Sequence, residues 1–211
     1  AVDGWAKIHQ KFGKLPWKDL FQAAIAYAEE GYPVTEVIQE AWASGASSLN
    51  AEGSRVFLPG GKPPAVGQLF KNPAVGHALR LIAEHGPEAF YKGEIAQALL
   101  KTSAKLGGTM TAEDLAATSA EWVEPISTNY RGWQVYELPP NGQGIAALEM
   151  LNIMETLAPS KTHDNVDELH KRIEAMKLAY SDLRYDADPR FAKVPVKGLL
   201  SKEYAKQRAA L

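Results

Sequence analysis

The 211-residue sequence contains no cysteine. That excludes a disulfide framework, thiolate metal ligation and a thiol nucleophile within the chain. It leaves the compartment open, because a cysteine-free protein suits reducing and oxidising spaces alike. Positive charge is not in excess: 23 Lys and Arg stand against 25 Asp and Glu, a formal charge of -2 with no basic stripe, so no nucleic acid partner is expected. No run approaches the roughly 18 apolar residues that span a bilayer, so no membrane partner is expected either. The first residues, AVDGWAKIHQKFG, lack the apolar core of a signal peptide, and an exported parent would have lost its signal or would carry it outside this chain.

Several spacing motifs are missing as well. The five histidines, His9, His77, His85, His163 and His170, form neither His-x-x-x-His nor His-x-x-Glu-x-His. His77 and His85 are eight residues apart on one predicted helix, about 12 Å along its axis and too far to share a metal. No metal site is therefore expected, and each histidine is assigned a surface or capping role. There is no Gly-x-Ser-x-Gly elbow, and Ser44, Ser47, Ser48 and Ser54 lie in a turn-rich context, which argues against a serine triad.

What is present is an ordinary globular composition, 45% hydrophobic and 9% aromatic, enough to bury a sizeable core. The patterning is mainly helical. LPWKDLFQAAIAYAEEGYPVT places Leu20, Ala24, Tyr27 and Ala28 on one helix face, with Pro16 near the start and Gly31 at the stop. Thr35 is positioned to cap EVIQEAWASG. Residues 47–72, dense in Gly, Pro, Ser and Asn, predict a long irregular connection with at most short structure. Asn72 and Pro73 restart a helix whose buried side is expected to carry Val75, Leu79 and Ile82, with Gly86 as its stop. A short helix and a longer one follow, ended by Gly107-Gly108, and Thr111 three residues before Asp114 forms a capping pair.

Only EWVEPISTNYRGWQVYELPP reads as sheet, two short runs joined by a turn over residues 128–132. Helices are predicted from Gly144 to Leu157, through DELHKRIEAMKLAYSDL and through SKEYAKQRAAL, with a polar link APSKTHDN and a proline-marked stretch DPRFAKVPVKG between them. The organisation is thus residues 1–118 mostly helical, 119–140 a β-hairpin, and 141–211 helical. A lone hairpin is barely stable in water, so the chain is either an all-helical body with a hairpin decoration or a contributor of strands to a larger sheet.

Two clusters invite chemistry. Asp182, Asp186 and Asp188 beside Arg184 and Arg190 lack the glycine and distal Glu of a calcium loop and read as a salt-bridged helix end. LPPNGQGIAALEMLNIMETL turns a strand into a helix at Asn141, Gly142, Gln143 and Gly144. Free amides at a helix start favour an anion or an oxyanion. GQG is nevertheless neither a dinucleotide fingerprint nor a phosphate loop, and the glycines serve backbone geometry first.

PPNGQGIAALEMLNIME, preceded by TMTAEDLAA and YRGWQVYELP, resembles the large subunit of the gamma-glutamyltransferase (gamma-glutamyl transpeptidase, glutathione hydrolase) family. VDGWAKIHQKFGKLPWKDLFQAAIAYAEEGYPV, GPEAFYKGEIAQAL and EAMKLAYSDLRYDADPRFAKVPVKGLLSKEYA extend the resemblance in family order over nearly the whole chain.

The resemblance implies an N-terminal nucleophile hydrolase with an αββα sandwich, mainly α in this segment with a short β-hairpin. In such enzymes a precursor cleaves itself before a threonine, whose free amine then acts as base for its own hydroxyl in attacking a gamma-glutamyl amide. It further implies that the nucleophilic threonine and the oxyanion residues lie downstream of this segment and the arginine for the glutamyl carboxylate upstream, so no catalytic residue is assigned here. Asn141, Gly142, Gln143 and Gly144 are the candidate substrate-binding residues. No cofactor is implied. The implied partners are the small catalytic subunit, the N-terminal part of the large subunit and a small gamma-glutamyl substrate, and the implied location is periplasmic or secreted. The hairpin would join strands supplied by those parts. Alone, its Trp122, Val123, Trp133, Val135 and Tyr136 would need other cover, such as self-association. Two alternatives stand beside this: an inactive structural or assembly module, and part of a related amidase of the cephalosporin acylase kind.

Overall fold

A computed structural model describes residues 1–159, 162 and 165–211. His163 and part of the polar link lie outside the described residues. The chain is mainly α and divides into two compact units, Ala1–Glu121 and Trp122–Leu211, each described by itself.

The first unit contains α1 (Val2–Phe12), a 3₁₀ turn (Trp17–Phe21), α2 (Gln22–Glu30), β1 (Tyr32–Pro33), α3 (Glu36–Gly45), α4 (Ala51–Phe57), β2 (Leu69–Phe70), α5 (Pro73–His85), α6 (Glu88–Tyr91), α7 (Glu94–Lys105) and α8 (Ala112–Ala117). Local chemistry sets many of the boundaries. The Asn72 side chain accepts from the Val75 amide ahead of Pro73, and Gly86 ends α5 at φ 71°. Thr111 and Asp114 form a reciprocal capping box at α8, the arrangement that satisfies two orphan amides at once. Thr35 precedes α3, but its side chain makes no capping bond.

The core of this unit is Val2, Phe21, Ile25, Ile82, Ala83 and Tyr91, packed by Trp17, Leu79, Phe90 and Ile95. Two expected faces are corrected here. Entry to α2 is a 3₁₀ turn, in which three residues rather than 3.6 complete a turn. Phe21 and Ile25 face the core, while Leu20, Ala24 and Tyr27 face solvent. On α5 the buried set is Gly76, Ile82 and Ala83, and Val75 is exposed. A β-carbon at Gly76 would sit 2.6 Å from the Glu29 side chain of α2, so α2 approaches where α5 carries its smallest residue. Arg80 then grips Glu29 through two hydrogen bonds of 2.7 and 2.6 Å, which pulls that carboxyl below its ordinary range.

The irregular connection holds more order than its composition predicts. Asn50 caps the seven-residue α4, and β2 pairs antiparallel with β1, a second small sheet that the sequence does not announce. Trp42, Phe57 and Tyr32 close around Phe70 with ring centroids 4.7 to 6.1 Å from it.

The second unit contains β3 (Ile126–Tyr130), β4 (Trp133–Glu137), α9 (Gly144–Glu155), α10 (Val166–Asp182), a 3₁₀ turn (Leu183–Tyr185), α11 (Val196–Leu199) and α12 (Lys202–Ala209). The hairpin is present but shifted from its expected bounds. Residues 121–125 are not strand, and residues 128–130, expected in the turn, are paired. The turn itself is Arg131-Gly132 at φ 50° and 89°, both positive as a two-residue hairpin connection of the I′ kind requires. The Arg131 amide donates to Glu155 Oε1 at 2.7 Å and the Gly132 amide to Asn129 Oδ1 at 3.2 Å, which holds a non-glycine residue in the left-handed region. Trp133, Tyr136 and Leu138 are exposed.

Helix α9 buries Ile145, Ala146, Leu148, Glu149, Asn152 and Ile153, and α10 and α12 pack on it with Ala175 and Ala205 in the contact. Small residues at those points let the helices approach closely. Helix α11, a single turn, has no counterpart in the sequence expectation.

Candidate functional site

After β4, Leu138, Pro139 and Pro140 carry the chain out of the hairpin. Proline cannot donate to a strand ladder, so pairing ends at Glu137. Asn141, Gly142 and Gln143 are exposed and Gly144 begins α9. Gln143 is the helix cap residue, with φ -73° and ψ -1° and no capping bond from its side chain. Its carbonyl accepts from the Ala146 amide at 3.0 Å. Its side chain instead reaches α10, where the Tyr180 hydroxyl donates to Gln143 Oε1 at 3.3 Å.

The two glycines do different things. A β-carbon at Gly144 would meet Glu137 Cβ at 2.8 Å, Glu137 Oε2 at 2.9 Å and the Leu138 carbonyl at 3.1 Å. Glycine is needed there because strand and helix backbones nearly touch. A β-carbon at Gly142 would meet nothing within 4 Å, and no positive φ demands glycine there. The Glu137 carboxylate beside Gly144 also puts negative charge at the start of α9, where the helix dipole favours it. The opening amides of α9 are thus partly matched in charge within the chain, and the exposed polar side chains of the turn are the amides of Asn141 and Gln143.

The structure does not bring the predicted acidic cluster together. Asp188 pairs with Arg190, through bonds of 2.6 to 3.1 Å, and its carboxyl lies below its ordinary range. Arg184 sits over the Tyr185 ring at 4.9 Å. Asp182 is 2% exposed and faces α12: the Tyr204 hydroxyl donates to its Oδ2 at 2.9 Å, and Arg208 Nε lies 3.1 Å from the same oxygen. Among the described residues no group of three His, Asp or Glu is placed to hold a metal. His9 lies 2.8 Å from the Leu15 carbonyl and His77 2.9 Å from Glu94.

Two polar centres on α9 escaped the sequence reading. Glu149, 1% exposed, lies against Asp182. Asn152, 0% exposed, accepts from the Thr128 hydroxyl and from Lys202 Nζ at 2.6 Å each and donates to the Leu200 carbonyl at 3.0 Å. Lys202 also bonds the Asn129 carbonyl and Glu155, each at 2.5 Å, so hairpin, α9 and α12 share one knot. The signal was available. In IAALEMLN, residues 145, 148, 149 and 152 follow helical spacing, and a Glu and an Asn on that face require buried partners.

The chain is similar to known proteins over its whole length. The Gamma-glutamyltranspeptidase family pattern matches residues 1–211. The glutathione hydrolase-like YwrD proenzyme of Bacillus subtilis is 37% identical over 99% of this chain and 40% of its own. The cephalosporin acylase of Bacillus halodurans superimposes with a TM-score of 0.90 at 42% identity, over 100% of this chain and 41% of that one. The gamma-glutamyltranspeptidase of Helicobacter pylori superimposes with a TM-score of 0.90 at 29% identity, over 99% of this chain and 62% of that one. The chain therefore spans about two fifths of the length of the curated relatives it matches. With the family pattern matched from the first residue to the last, the chain belongs to the gamma-glutamyltranspeptidase family.

Proposed function

We propose that this chain is a segment of an enzyme that cleaves the gamma-glutamyl amide of glutathione and related compounds, by transfer or hydrolysis, and that it does so only together with polypeptide beyond the segment. The observation that carries this reading is the family match over all 211 residues, set against coverage of only two fifths of the curated relatives. The nucleophile is then an N-terminal threonine, the acyl-enzyme is resolved by water or an amino acid, and no cofactor takes part. The partners are a small subunit bearing that threonine and a preceding part of the large subunit. They would also cover Trp133, Tyr136 and Leu138, exposed by 77%, 61% and 70%, which on the isolated chain invite self-association.

Within this segment we assign the substrate side to Asn141–Gly144. With Glu137 already at the helix start, Asn141 and Gln143 would meet a polar part of the substrate through their amide groups rather than bind an anion. Replacing Gln143 by Ala in the longer polypeptide tests the assignment. Lost turnover with an unchanged melting temperature supports it, and unchanged turnover refutes it.

A second reading is favoured by the 42% identity to a cephalosporin acylase: the same fold and nucleophile acting on the amide of a cephalosporin. Parallel assays of the longer polypeptide on a gamma-glutamyl anilide and on an N-acylated cephalosporin separate the two by which substrate has the greater kcat/KM.

A further inference from the structure

Glu149 of α9 and Asp182 at the end of α10 are 1% and 2% exposed. Asp182 contacts one guanidinium, Arg208, and one phenol, Tyr204, supplied by α12, and the Glu149 carboxyl lies within electrostatic reach of both. The Tyr204 hydroxyl donates to Asp182 Oδ2 at 2.9 Å, and Arg208 Nε forms an ion pair with the same oxygen at 3.1 Å while its N–H makes no hydrogen bond among the described residues. Glu149 Oε1 is buried with no hydrogen-bond partner among the described residues. Two carboxylates against one cation would leave a net negative charge out of water with an uncompensated oxygen, an arrangement that is unfavourable unless the group is neutralised. One proton removes the excess and supplies the missing donor.

We propose that Glu149 keeps its proton against the Asp182 carboxylate, and that this proton is the catch that keeps α12 clamped on the α9 and α10 pair, so that the clamp loosens under alkaline conditions. In the neutral form the Glu149 O–H donates to Asp182, and Asp182 remains free to bind Tyr204 and Arg208. When the proton leaves, the two carboxylates repel, and Asp182 must divide the single Arg208 charge with Glu149.

Burial, the hydrogen bond to Asp182 and the Asp182 charge push the Glu149 carboxyl from its ordinary 4.5 up to about 9, and Arg208 opposes them. Burial and the same Asp182 raise the Tyr204 hydroxyl. The other elements packed on α9, namely β3, β4 and α11, bring no charged group that acts on Glu149 among the described residues. The native state keeps a proton that the unfolded chain has released, so stability falls as pH rises between about 4.5 and 9, by one proton's linkage.

The test compares the folding equilibrium constant of the full 211-residue chain with that of Glu149→Gln, from urea unfolding at pH 5.5, 6.5, 7.5 and 8.5. The glutamine amide keeps a donor toward Asp182 and cannot ionise. Tyr204, on which the Glu149 charge also acts, is raised above its ordinary range and titrates above these pH values, so the ratio of native to variant constants over this range isolates Glu149. The expected ratio falls tenfold for each pH unit, and a ratio independent of pH overturns the proposal. Should the variant not fold, infrared spectra of the native chain with and without ¹³C-labelled glutamate decide it. A protonated glutamate C=O stretch persisting at pH 7.5 and lost above pH 10 supports the proposal, and its absence at pH 7.5 overturns it.

Discussion

Replacing Gly144 by Ala isolates the junction between hairpin and helix, because Gly142 provides an internal control two residues away. The added methyl at position 144 would lie 2.8 Å from Glu137 Cβ, 2.9 Å from its Oε2 and 3.1 Å from the Leu138 carbonyl. Two of these atoms belong to the start of a side chain and to the backbone, so they cannot swing away as a flexible tip could. Such overpacking costs about 2 kcal/mol, and the better helix propensity of alanine returns at most about 1 kcal/mol. The net loss is about 1 to 2 kcal/mol, or roughly 2–8 °C in melting temperature for a chain of this size. Alanine at position 142 meets open space and, by narrowing the unfolded ensemble, is expected to be neutral or to stabilise by up to about 1 kcal/mol. Urea unfolding of the two variants side by side is the assay. Gly144→Ala equal to or more stable than Gly142→Ala would refute the close approach of strand and helix.

Asn152→Ala removes the partner of the Thr128 hydroxyl, the Leu200 carbonyl and Lys202 in a fully buried position. It is expected to cost about 3 kcal/mol, since each stranded buried group costs about 1–3 kcal/mol, read as a lower urea midpoint with an unchanged slope. Glu155 is held below its ordinary range by Lys202, with help from the Arg131 amide. Its stabilising contribution is therefore present above its unfolded pKa of about 4.3 and lost as pH falls through its lower folded value. Glu155→Gln should show a smaller loss of stability than the native chain on acidification below pH 4.3, and an identical acid profile would contradict the pairing.

Much of the fold follows from local rules that the sequence states openly. Asn72-Pro73 and the Thr111 to Asp114 box each fix a boundary by hydrogen bonds within a few residues, whereas the hairpin turn, expected over residues 128–132, narrows to Arg131-Gly132. What was not legible depends on partners distant in sequence. The face of α2 depends on a 3₁₀ entry that places Phe21 rather than Leu20 inward. Strands β1 and β2, two residues each and separated by more than thirty, have no periodicity to read. The candidate turn at Asn141–Gly144 could be located from its glycines and prolines. Which glycine is sterically required could not, because that depends on how β4 folds back over α9. Likewise Asp182 was grouped with Asp186 and Asp188 by proximity in the chain, whereas its partners Glu149, Tyr204 and Arg208 come from α9 and α12.

Under the proposed function, this family segment contributes to a gamma-glutamyl enzyme without carrying the reacting groups. The most direct measurement is release of anilide from a gamma-glutamyl anilide by the purified 211-residue chain, alongside a longer polypeptide that includes it and a threonine-led small subunit. Turnover by the longer polypeptide, with none above a heat-killed control from the chain alone, is the predicted result. Turnover by the 211 residues alone would contradict it.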